Sequence, residues 1–139
     1  MSRMAHNSTH LIAPAGPYSH AVRSGEHIFI AGQIGRDPAT GQFADGGISA
    51  QTACIFCNFR TLLTELGCSL DDVQSVTVYL ARMADFTEMN RVYAENFRAP
   101  FPTRTTVGVH ELPLGALIVM EMVVRAPADI RAAAYPRPQ

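Results

Sequence analysis

The chain has no tryptophan, only three cysteines, no run of like charge and no long apolar stretch, and each lack removes a class of protein. Cys54, Cys57 and Cys68 are an odd and sparse set, which excludes a secreted disulfide framework. Cys54 and Cys57 form one C-x-x-C inside a helical pattern, without a second pair or a nearby histidine. They read as apolar core-type thiols rather than as zinc or redox ligands. Eleven Lys and Arg balance twelve Asp and Glu to a net charge of -1, with no cationic cluster to release counterions from a phosphate backbone, so no nucleic acid partner is expected. No segment reaches the roughly 20 apolar residues of a membrane span. The polar residues 1–10 lack the basic and apolar regions of a secretory leader, so the expectation is a cytoplasmic protein with no membrane partner. His6, His10, His20, His27 and His110 show no metal spacing, and no phosphate loop, dinucleotide glycine pattern or Ser-His-Asp order is found. Neither a metal nor a cofactor is therefore expected.

What is present suits one core: 139 residues, 47% of them hydrophobic. Residues 1–12 carry no periodicity and are expected to be a flexible segment, 13–126 a single domain, and 127–139, with Pro136 and Pro138, a loose tail. The β-favouring runs 19–22 and 27–34 flank Arg23-Ser24-Gly25-Glu26, which reads as a hairpin turn. Over 48–66, Ile55, Phe59, Leu62, Leu63 and Leu66 recur at helical spacing, and Gly67 stands where a left-handed cap belongs. Ser69 and Asp72 have capping-box spacing ahead of a strand at 73–81. Asp85-Phe86-Thr87-Glu88 is a second capping signal, followed by a stripe of Met89, Val92, Tyr93 and Phe97 that ends before Pro100. Strands at 103–109 and 117–125, joined by a turn at 111–115, complete the order β-β-α-β-α-β-β. That order predicts an α/β chain of the α+β kind, a two-layer sandwich of one sheet with two helices on one face.

Strand side chains alternate between faces. Ile118, Met120, Met122 and Val124 make a wholly apolar face, as do Val76, Val78 and Leu80, and these belong under the helices. The opposite face, with Leu117, Val119, Glu121, Val123 and Tyr79, is too apolar for a wet sheet. Self-association through it, with a ligand site where the faces meet, is the expectation.

Arg104 is the only charge in the run 101–109 and shares a side with Thr106. Its guanidinium suits a substrate carboxylate, although on composition alone an ordinary salt bridge is the default expectation. Glu121, a carboxylate in an apolar strand, is either paired with such an arginine or held for proton transfer, and pairing is the default expectation. Tyr18 after Gly16-Pro17 could border a cleft, and Asn90 could bridge polar groups where helix meets sheet.

Several stretches together carry a resemblance. Gly16-Pro17-Tyr18-Ser19, Ala31-Gly32-Gln33-Ile34, Gln51-Thr52 with Asn58, Asn90-x-x-Tyr93, Phe101-Pro102-Thr103-Arg104-Thr105, Leu112-Pro113 and Glu121 occur in the order of the Rid (YjgF) family, over nearly all of 11–126. The chain resembles that family's 2-iminobutanoate/2-iminopropanoate deaminases. The resemblance implies a chorismate-mutase-like fold, a homotrimer, clefts between subunits, and hydrolysis of 2-imino acids to 2-keto acids and ammonia without metal or cofactor. Carried over, Arg104 holds the substrate carboxylate with the backbone of Thr106, which stands where many members have Cys; Tyr18 borders the cleft, and Gly32 and Asn90 line or support it. Two positions depart from the deaminase pattern: Val119 replaces a water-orienting Glu, and Ala31 a Ser. Glu121 shares the face of Val119 but lies roughly 6.5 to 7 Å further along the strand. The alternatives are a non-catalytic trimeric protein that binds a small carboxylate, or a related hydrolase acting on an aminomuconate or aminoacrylate. Endoribonuclease activity is disfavoured by the absence of a basic patch and of an acid/base histidine pair.

Overall fold

The structure is a computed structural model and describes residues 3–128. Strand β1 (Met4–His6) is followed by β2 (Ala21–Ser24), β3 (His27–Gln33), helix α1 (Gly47–Glu65), β4 (Val73–Leu80), α2 (Phe86–Ala94), β5 (Thr103–Gly108) and β6 (Ile118–Arg125). They form one six-stranded sheet in the order β1-β2-β3-β6-β4-β5, antiparallel except for the β4–β5 pair, which α2 connects. The two helices pack together on one face, so the predicted α+β sandwich holds, with one more strand than expected.

The core follows the alternation in the sequence. Val76, Val78, Leu80, Ile118, Met120, Met122 and Val124 are buried against Ile55, Phe59, Leu62 and Leu63 of α1 and Met89 of α2. Phe56, Tyr93 and Phe97 add edge-on and tilted ring contacts at 4.9 to 5.8 Å between centroids. Helix α1 stops as its sequence requires: Gly67 adopts φ 74, and the Cys68 N–H reaches back to Leu63 O at 2.8 Å. Three polar side chains of α1 are buried among these apolar ones. Gln51 Oε1 accepts the Leu117 N–H at 3.0 Å, Thr52 donates to Ile48 O at 2.7 Å, and Asn58 donates to Arg36 O at 3.1 Å. Gln51 and Asn58 thereby tie the entrance to β6 and the exit from β3 to the helix.

Three sequence expectations need correction. The segment 1–12 is not patternless over its described part: Met4–His6 pairs with β2, and Ser8 and Leu11 are buried. Glu65 holds it down, with Oε1 2.7 Å from His6 Nε2 and Oε2 accepting from Ser8 Oγ at 2.8 Å and lying 3.0 Å from His10 Nδ1. A three-residue strand is too short for period two to be read, and its anchor lies 55 or more positions away. The hairpin is also tighter than predicted, because Arg23 and Ser24 belong to β2 and only Gly25, at φ 61, and Glu26 turn the chain. Asp85 does not cap α2; helical geometry begins one turn earlier at Met83, and its carboxylate accepts from Arg82 Nη2 at 3.1 Å instead. The expected loose tail lies, beyond Ala128, outside the described residues.

Candidate functional site

The sheet face opposite the helices borders a cleft of about 780 Å³. Its walls come from the loop that carries Tyr18, from the end of β3, and from Val119 and Glu121 on β6. The β3 wall is shaped by a bulge: Ile30 pairs with Met122 and Gln33 with Met120, so β3 spends one more residue than β6. Gly32 sits in that bulge, and a Cβ there would lie 2.8 Å from Val119 Cγ1, so only glycine lets the two strands approach this closely.

Among the described residues Glu121 is the only acidic side chain lining the cleft. Tyr79 Oη donates to its Oε1 at 2.6 Å, across the diagonal made by the Thr77–Glu121 and Tyr79–Val119 pairs. That bond to Glu121, then burial, raise the Tyr79 phenol above its ordinary value, so the tyrosine keeps its proton. His20 also lines the cleft but has no capacity left for proton transfer. Its Nδ1 accepts the Ser8 N–H at 3.0 Å, so Nε2 carries the proton and donates to Ile12 O at 2.9 Å. Arg36, a further lining residue, donates through Nε to Gly41 O at 3.0 Å.

Arg104 lies elsewhere. Its register partner is Val76 and that of Thr106 is Val78, so both side chains emerge on the helix side of the sheet, whereas Glu121 is paired with Thr77 on the opposite side. The guanidinium rests on the ring of Tyr93, 4.6 Å from its centroid, and 5.6 Å from that of Phe86. Its Nη1 donates to Asn90 Oδ1 at 2.7 Å. Among the described residues no carboxylate lies within salt-bridge distance of it. The hydroxyls of Tyr93 and Thr106 are buried there without hydrogen-bond partners among the described residues. Burial pushes the Tyr93 phenol up, and the charge of Arg104 pulls the other way.

Within one chain, then, Tyr18, Gly32 and Glu121 come together, and Arg104, Thr106 and Asn90 form a second group on the other face. The expected Arg104–Glu121 pairing is corrected: the sheet separates the two residues, and Glu121 takes a tyrosine instead. Sequence reasoning missed Tyr79 and Arg36 as neighbours of the site. The signal for Tyr79, a hydroxyl and a carboxylate on one face of two strands, becomes readable only once their register is known. Among the described residues no cluster of His, Cys, Asp and Glu could hold a metal ion, and no helix is long and apolar enough to cross a membrane.

Comparison with known proteins adds a lineage to this geometry. A family profile described as Endoribonuclease L-PSP matches residues 8–126. A RutC family protein of Pyrococcus abyssi is 47% identical over 110 residues, 79% of this chain and 87% of that protein. The human protein named 2-iminobutanoate/2-iminopropanoate deaminase is 39% identical over 108 residues, 78% of this chain and 79% of its own length. The crystal structure of RidA from a Psychrobacter species superposes with a TM-score of 0.81 at 34% identity, covering 86% of this chain and 96% of that one.

Proposed function

The chain belongs to the Rid (YjgF) family, and from that premise we propose that it hydrolyses reactive 2-imino acids to 2-keto acids and ammonia, in clefts formed between copies of itself in a homotrimer. The observation that carries this reading is Arg104, a cation held over an aromatic ring, with neither a carboxylate partner for it nor a partner for the two buried hydroxyls beside it among the described residues. Such a group is suited to a small organic carboxylate, which a planar guanidinium grips through two parallel hydrogen bonds. Because Glu121 faces the other side of the sheet, a site using both residues takes Arg104 from one copy and the Tyr18–Gly32–Glu121 cleft from another. The half-exposed Phe29 on the open face supports association there.

In the composite site Arg104 fixes the carboxylate, with Thr106 beside it and Asn90 steadying the guanidinium, so the imine carbon presents one face to the cleft. Glu121 takes a proton from a water as its oxygen bonds to that carbon; the C=N bond opens to a tetrahedral carbinolamine. That proton passes to nitrogen; Glu121 then takes the proton of the carbinolamine hydroxyl and hands it to the same nitrogen, so the C–N bond breaks and ammonia leaves as the C=O forms. Catalysis here is mainly orientation and charge placement, which suits a reaction that already proceeds in water. RNA cleavage, named in the profile's description, would need a proton-shuttling pair, and the engagement of both His20 nitrogens favours imine chemistry over it.

The test is ammonia release from 2-iminobutanoate or 2-iminopropanoate generated in place by an amino-acid oxidase or dehydratase. The wild type accelerates it over buffer, and Arg104→Ala loses roughly 100-fold or more of kcat/KM. A wild type no faster than buffer overturns the proposal. Val119, standing where the deaminase pattern has Glu, favours a second reading: a non-catalytic carboxylate-binding protein, recognised by a rise in Tm with 2-keto acids and no turnover.

A further inference from the structure

A glutamate turns on several single bonds, so a carboxylate that is to orient a water must be held, or it is lost among rotamers. Glu121 is held from behind. Tyr79 is not part of the cleft wall; it reaches across from β4 and donates to Oε1 at 2.6 Å, while Oε2 makes no hydrogen bond among the described residues. The ring of Tyr79 already covers the half-buried sheet face beside Val119, so its hydroxyl adds no packing. What it adds is one directional bond to the acid of the cleft wall.

We propose that Tyr79 is a positioning residue for the imine-hydrolysing site, its hydroxyl fixing Glu121 with one oxygen occupied and the other left to the attacking water. This assignment rests on the function proposed above and adds a device to it. With Val119 at the position next to Gly32, the carboxylate sits one step further along β6, where a diagonal neighbour on β4 is within reach to hold it. A phenol at this place serves where an amine would not. It stays neutral, donates one hydrogen bond and leaves Glu121 its charge, whereas an ammonium would pair with the carboxylate and compete with the substrate for it.

The experiment compares wild type, Tyr79→Phe, Glu121→Gln and the double variant with 2-iminobutanoate formed in place. Phe keeps the ring and its packing, so Tm stays at the wild-type value while kcat falls roughly 10-fold with KM unchanged. Glu121→Gln loses more, about 100-fold, and the double variant is no slower than Glu121→Gln alone, because the hydroxyl acts only through that carboxylate. A wild-type kcat in Tyr79→Phe, or a loss that adds in full to that of Glu121→Gln, overturns the assignment and leaves the imine reading standing. An inactive wild type overturns both.

Discussion

At the scale of single residues, Gly32 and Val119 stand against each other in the cleft wall. A Cβ at Gly32 would meet Val119 Cγ1 at 2.8 Å, and valine, branched at Cβ, has little freedom to turn away. Gly32→Ala is therefore expected to lower stability by about 1–3 kcal/mol and to reduce activity, and Val119→Ala in the same chain to restore most of both. Denaturant midpoints of the two single variants and the double variant check this; a double variant no better than Gly32→Ala would show that the contact is not the cause. Arg104 was legible in the sequence because it is a lone charge in a β run, and lone charges in strands need a reason. Tyr79 was not, since a tyrosine on a half-buried strand face is ordinary until its opposite number is known.

Among the elements, β1 shows most clearly how a long-range bond makes structure that local pattern does not. Burial pushes the Glu65 carboxyl upward, but the hydrogen bonds from His6, His10 and Ser8 outweigh it, and the group sits below the ordinary carboxylate range. A depressed carboxylate contributes stability above its unfolded pKa, about 4.3 for Glu, and that contribution is lost as the pH falls through the folded value. Amide exchange of Met4–His6 relative to the chemical rate should then rise below about pH 4, before the core strands β4 and β6 respond, and Glu65→Gln should show the raised exchange already at neutral pH. Unchanged protection in that variant would mean that backbone pairing with β2 alone holds the strand. The other elements were largely readable: α1 from its stripe and Gly67, and β4 and β6 from their alternation. The start of α2 was misread because a capping motif in sequence does not reveal that a turn of helix already precedes it.

For the whole molecule, the separation of Arg104 from Glu121 by the thickness of the sheet means that the proposed site stands or falls with the proposed association of copies. A site composed of two chains predicts complementation. Arg104→Ala and Glu121→Gln, each nearly inactive alone, should regain activity when coexpressed or refolded together. Random mixing in equal amounts leaves one site in four with both groups, so about a quarter of wild-type activity is expected. Mixed variants as inactive as the separate ones would place both residues' work within single chains and contradict the composite site, and a strictly monomeric species by light scattering would do the same.

Alternating hydrophobicity and helical stripes by themselves determined the α+β class, the faces of β4 and β6, and the residues able to bind a carboxylate or move a proton, because burial and side-chain type are local properties of the chain. Strand order, register and the bulge at Gly32 decided the rest: that Glu121 meets Tyr79 rather than Arg104, that His20 has both nitrogens engaged, and that β1 is clamped by Glu65. Those facts depend on pairings between residues many positions apart. The free energy of each such pairing belongs to two distant groups at once, and neither stretch of sequence carries it alone.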